Sequence, residues 1–96
     1  MKAAVIRKYG KISLEEAKKP LLQDNQVLVK VRYASICGSD QHIFRGEFHP
    51  RTQLPLIPGH DFAGIVEDAG SGVMNFVPGD KVTVDPIIWC GKCAAC

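Results

Sequence analysis

Apolar and polar residues alternate with a period of two along much of this chain. Val27, Val29, Val31 and Tyr33 fall on one face of a stretch whose other face carries Lys30 and Arg32. The spacing predicts a half-buried antiparallel strand over 27–35. Lys2 to Lys8 predicts another, with Ala3 and Val5 alternating against Ala4 and Ile6, and Tyr9-Gly10-Lys11 turns it into a weaker return over 12–15. Asp61 to Ala69 and Lys81 to Asp85 predict two more. Gly70-Ser71-Gly72 ends the first of these, and Pro78-Gly79-Asp80 opens the second.

Between the strands the pattern breaks. Cys37-Gly38-Ser39-Asp40 reads as a turn into a short helix over 39–45, capped by Ser39 or Asp40 and closed by Gly46. Pro50, Pro55 and Pro58 predict an irregular loop over 47–58 that ends in a rigid elbow at Pro58-Gly59. Pro20 and the polar Gln23-Asp24-Asn25-Gln26 mark a further turn, and Pro86 to Cys96 has no periodicity. Short strands, Gly/Pro turns and almost no helix predict a mostly β fold, a small partly open barrel or sandwich. With no repeat and no linker, residues 1–96 form one domain.

Composition narrows the partners. A chain of 96 residues buries roughly 60–70% of its unfolded surface, so one core is feasible but marginal. The net charge is +2 and the basic residues are scattered, which argues against a nucleic-acid surface. Nothing approaches the roughly 18 apolar residues of a membrane helix, and early charges at Lys2 and Arg7 do not make a secretory leader. The expectation is a cytoplasmic chain with no membrane partner, whose four cysteines are metal ligands or free thiols rather than disulfides.

Two clusters carry candidate chemistry. Cys90-Gly91-Lys92-Cys93-Ala94-Ala95-Cys96 is a Cys-x-x-Cys-x-x-Cys run, whose gaps let consecutive sulfurs converge on one ion. Zinc takes four ligands, at about 2.3 Å for sulfur, so a fourth is expected beyond Cys96. Ferredoxin-type iron–sulfur runs use the same gaps, and the residues alone leave both readings open. Upstream, Cys37 and His60 stand among Ser39, Asp40, His42 and Asp61. Burying so many polar groups without a metal or a network costs several kcal/mol. The reading is one catalytic zinc shared by Cys37 and His60, with Asp61 as a further candidate ligand and a third ligand still owed. Gly70-Ser71-Gly72-Val73-Met74-Asn75 imitates a dinucleotide loop, but Asn75 replaces the last glycine and Pro78 follows where a helix is needed. It is a turn.

Gly59-His60-x-x-x-Gly64, then Gly70-x-x-Val73, with Cys37-Gly38-Ser39-Asp40-x-His42, Gly79-Asp80-Lys81-Val82 and the three-cysteine run, resembles the zinc-containing alcohol dehydrogenases of the medium-chain dehydrogenase/reductase superfamily. Cys-Gly-Ser-Asp looks most like the polyol (sorbitol) and threonine dehydrogenase branch. The resemblance implies a GroES-like, partly open β-barrel, incomplete at its C-terminal end, preceding a Rossmann cofactor domain that lies outside these residues. It implies Cys37 and His60 as catalytic zinc ligands and Cys90, Cys93 and Cys96 as structural zinc ligands. Ser39 would take the substrate proton, His42 would relay it, and Asp40 would orient His60. Position 61 departs from the family pattern, holding Asp where Glu is usual, one methylene shorter.

The implied reaction is oxidation of a secondary alcohol or polyol to a ketone, by zinc-alkoxide formation and hydride transfer to NAD or NADP bound on the other domain. The whole enzyme would be a homo-oligomer, and these 96 residues alone would be inactive. The competing reading is a zinc-stabilised β-domain without activity, a fragment or an interaction module, holding metal only at the terminal cysteines.

Overall fold

A computed structural model describes all residues, Met1–Cys96. The elements are β1 (Lys2–Lys8), β2 (Lys11–Glu16), β3 (Val27–Ala34), α1 (Gly38–Phe44), β4 (Phe62–Ala69) and β5 (Lys81–Thr83). β1 and β2 pair as one sheet, and β3, β4 and β5 as a second with β4 in the middle. All pairings are antiparallel. The sheets do not close on one another, so this is the open, mostly β architecture that short strands and frequent turns imply.

Helix capping differs from the expectation. Cys37, in extended conformation, is the N-cap, and Asp40 three residues on accepts a 2.9 Å hydrogen bond from the Cys37 N–H. Neither Ser39 nor Asp40 is the cap, because Asp40 serves better from inside the first turn, where a carboxylate also meets the positive helix end. β5 stops at Thr83 rather than Asp85, and the residues after it form no strand.

Side-chain alternation holds only in part. Ala3, Val5, Ile6 and Val66 form the buried hydrophobic core. Val5 and Ile6 are both buried, although a regular strand sends neighbours to opposite faces. The free edge of β1 is covered: Ile6 exchanges backbone hydrogen bonds of 2.8 and 2.9 Å with Leu56 of the proline-rich loop. On β3 the predicted inward face fades, leaving Val31 50% and Tyr33 80% exposed. Register shifts between Leu28 and Val29 and between Val31 and Tyr33 interrupt the alternation, as an extra residue in one strand does. Val31 also pairs with Gly64, which has no side chain to cover it. A Cβ at Gly64 would stand 2.4 Å from the Lys30 carbonyl oxygen, so the tight β3–β4 contact requires glycine.

The hairpin is tied to the helix. Gly10 N–H donates to the Phe44 carbonyl at 2.8 Å. Gly46, at φ +79°, lies so close to the Tyr9 ring that a Cβ would come within 2.9 Å of it. Tyr9 in turn donates to the Thr52 carbonyl at 3.2 Å. The β1–β2 turn, the end of α1 and the loop thus form one unit beside the first metal-type cluster. The radius of gyration is 15.2 Å, above the roughly 12.5 Å of a compact domain of this length.

Candidate metal centres

The β3–β4 ladder assembles the first cluster. Tyr33 pairs with Ala63 and Ala34 with Phe62, and Ser35 N–H then donates to the Asp61 carbonyl at 2.9 Å. Carried past the strand ends, that register brings Cys37 alongside Gly59 and His60, although more than twenty residues separate them in sequence. Ser39 Oγ lies 3.2 Å from His60 Nε2. Asp40 Oδ1 lies 3.4 Å from His60 Nδ1, with the carboxylate side chain only 12% exposed.

Electrostatics at this cluster suit a cation. The Cys37 thiol is pushed down to about 7, first by the Ser39 backbone N–H, then by the Ser39 hydroxyl and His60. His60 is raised, first by its hydrogen bond to Cys37 and further by the Asp40 and Asp61 charges. The lowered thiol favours the thiolate that zinc takes, and the raised His60 reports the negative charge around it, which a bound cation would offset. Asp40 Oδ1 is buried without a hydrogen-bond partner. An imidazole that ligates through Nε2 must carry its proton on Nδ1, which supplies the donor Oδ1 lacks. The residues fit a metal here.

The other expected participants divide. Asp61 turns its carboxylate to the Ser35 hydroxyl. His42 does not join Ser39; its Nδ1 meets Glu47 Oε2, and its ring lies 5.8 Å from that of Phe48. Ser35 and Glu47 were not among the residues singled out in the sequence. Glu47 had a usable signal, since it directly follows Gly46 at the predicted helix end.

The second cluster is local. The sulfurs of Cys90, Cys93 and Cys96 lie within 4.8 Å of one another, all exposed. Cys96 Sγ is 3.3 Å from Cys90 Sγ and 3.2 Å from Cys93 Sγ. Tetrahedral zinc with 2.3 Å bonds separates its sulfurs by about 3.8 Å, so the three need to spread only slightly. The N–H groups of Lys92 and Cys93 donate to Cys90 Sγ at 3.4 Å each. With these donors leading, the Cys90 thiol falls to about 6. Three convergent thiols, with Cys90 readily ionised, fit a zinc that takes a fourth ligand from elsewhere.

Comparison with known proteins follows the same lines. The chain is 40% identical over 96 residues to the starvation-sensing protein RspB of Escherichia coli K12, covering all of this chain and 28% of that protein. It is 39% identical over 100 residues to sorbitol dehydrogenase of Bacillus subtilis, again covering all of this chain and 28% of the relative. Among solved structures it matches the short chain alcohol dehydrogenase rspB of E. coli CFT073, complexed with NADH. The TM-score is 0.84 at 40% identity, over 100% of this chain and 27% of that one. The chain thus spans just over a quarter of the length of these relatives. Residues 23–96 match the alcohol dehydrogenase GroES-like domain, a span that holds Cys37, His60 and the three terminal cysteines, and the chain belongs to that family.

Proposed function

We propose that this chain is the N-terminal, metal-binding part of a zinc-dependent alcohol or polyol dehydrogenase that uses NAD or NADP. The reaction is oxidation of a secondary alcohol to a ketone. The observation that carries this is the meeting of Cys37, Ser39, Asp40 and His60 at the end of the β3–β4 ladder. Sorbitol dehydrogenase among the relatives, and NADH in a similar structure, support the substrate class and the cofactor. The open shape and the exposed Tyr33, Ile87, Ile88 and Trp89 support a chain that continues into further structure.

Cys37 and His60 would hold a zinc ion, which when bound acts as a Lewis acid on the substrate hydroxyl. Asp40 keeps the His60 ring oriented and its Nδ1 protonated. Ser39 stands beside His60 Nε2, where its hydroxyl can take the proton the alcohol loses. His42, half exposed on α1 and not in contact with Ser39, would carry that proton on toward solvent through an intervening carrier, as an imidazole can both accept and donate a proton. Phe48, whose ring lies 5.8 Å from that of His42, supplies apolar surface beside this path. Cys90, Cys93 and Cys96 would hold a second zinc, with a structural role. Hydride transfer belongs to the cofactor domain, so the 96 residues alone turn over no alcohol.

The complete protein, assayed with NAD or NADP against secondary alcohols and polyols, should oxidise at least one polyol and lose that activity with Cys37→Ser. The second reading, a β-domain without activity, is favoured by the fact that only the terminal cysteines bring three ligand atoms together. It predicts no turnover and one tightly bound zinc, unaffected by Cys37→Ser.

A further inference from the structure

The last turn of α1 brings together two ionisable side chains, only one of which the proposed reaction uses. Arg45 is the C-cap, and Gly46 follows it in the left-handed region. Gly46 N–H donates to the Ile43 carbonyl and Glu47 N–H to the His42 carbonyl, each at 3.0 Å. These two bonds are a Schellman closure, which folds the residue after the glycine back over the one three positions before the cap. Such closures commonly seat an apolar contact between those two positions. Here the positions hold Glu47 and His42, and the contact is a carboxylate on an imidazole nitrogen.

Three further features suit this contact to moving protons. Both side chains are about half exposed, at 45% and 52%, so the pair opens to solvent. Arg45 Nη1 lies 3.9 Å from the other carboxylate oxygen. Glu47 is held below the usual carboxylate range, first by its hydrogen bond to His42, with the Arg45 charge adding to it. It therefore stays ionised and can only accept. An imidazole facing a permanent acceptor keeps its proton on the facing nitrogen.

We infer that Glu47 is a positioning residue for the proton outlet, holding His42 as the Nδ1–H tautomer with its Nε2 lone pair free. A proton released by the alcohol adds at Nε2, one proton leaves the imidazolium for a base in solvent, and Glu47 ends as the carboxylate it began as. The inference rests on the relay role of His42 and names the group that sets its tautomer. The closure is made by backbone groups, so Glu47→Gln leaves it in place.

The test uses the complete, zinc-loaded enzyme with its nicotinamide cofactor, comparing His42→Gln, Glu47→Gln and the double variant. His42→Gln should lower kcat about 100-fold, as loss of a general acid–base group does, and imidazole buffer should restore part of it. Glu47→Gln should lower kcat about fivefold with KM within about twofold, and the double variant should be no slower than His42→Gln alone. Nitrogen NMR above the imidazole titration should show His42 protonated at Nδ1 in the parent and at Nε2 in Glu47→Gln. Unchanged kcat and nitrogen shifts in Glu47→Gln overturn the inference and leave the relay standing. Independent, multiplying losses in the double variant overturn it as well. Wild-type kcat in His42→Gln overturns the relay, and the inference with it.

Discussion

The two metal-type clusters are built in opposite ways. The Cys37–His60 cluster is made by long-range register: a strand pairing, its continuation through Ser35 and Asp61, and a helix whose N-cap is itself a candidate ligand. The Cys90–Cys96 cluster is made by a few consecutive residues, with backbone N–H groups turned onto one sulfur and no strand in support. The first depends on the sheet for its geometry. The second depends on spacing alone, so a bound metal would have to supply most of its order. A site that needs a fixed open coordination position gains from a rigid scaffold, whereas a closed structural site needs only sulfurs within reach.

This contrast can be broken most sharply by removing a ligand. His60→Ala in the complete enzyme should lower alcohol oxidation by more than the roughly 10–100-fold typical of losing a ligand's hydrogen-bond partner, with the terminal zinc retained. Loss of both metals in that variant would show that the clusters are not independent. Gly64→Ala should come next. Its Cβ would meet the Lys30 carbonyl oxygen at 2.4 Å and Val29 Cγ1 at 2.8 Å, and overpacking of this kind costs about 3 kcal/mol. Urea unfolding should show the loss, and metal binding at Cys37 should weaken more than at Cys90.

Asp40→Asn should lower zinc affinity at the first cluster by about 10–100-fold and leave the second unchanged, as read by competition with a chromophoric chelator. Thiol labelling gives a smaller, graded signal. In zinc-loaded protein all four cysteines should resist alkylation, and a mild chelator should expose Cys90, Cys93 and Cys96 together. Free labelling of Cys37 in the loaded protein would remove it from the ligand set.

The smallest effect lies away from both clusters and serves as a control. Arg7 binds Glu15 through both carboxylate oxygens and, with Ser13, lowers its pKa from the ordinary 4.5. A lowered folded-state value means the pair adds stability above about pH 4.5, lost as pH falls through the folded value. The stability gap between parent and Arg7→Gln should therefore be small at neutral pH and close in acid. A gap independent of pH would mean that Arg7 acts by packing alone. Neither metal should respond.

Much of this was readable along the chain. Strand positions agree to within a residue or two, because local alternation and Gly/Pro turns govern where strands start and stop. The thiol cluster was equally plain, since its geometry is its spacing. Less legible were contacts set by folding. The capping role of Cys37, the Ser35–Asp61 pairing and the meeting of Glu47 with His42 each join residues whose local signals point elsewhere. The exposure of Val31 and Tyr33 was hidden too, because register shifts leave no mark on residue type.

By itself the sequence determined which residue types could bind metal, that the chain is built from short strands, and that three sulfurs converge near its end. Tertiary structure supplied the contact by which Cys37 and His60 come together, and it alone decided that Asp40 Oδ1 sits 3.4 Å from His60 Nδ1 while Asp61 turns to Ser35, and that His42 faces a carboxylate. The reason is physical. Spacing constrains neighbours a few bonds apart, whereas groups twenty or more residues apart meet only through the register of a ladder held by backbone hydrogen bonds, and those bonds are blind to side-chain identity.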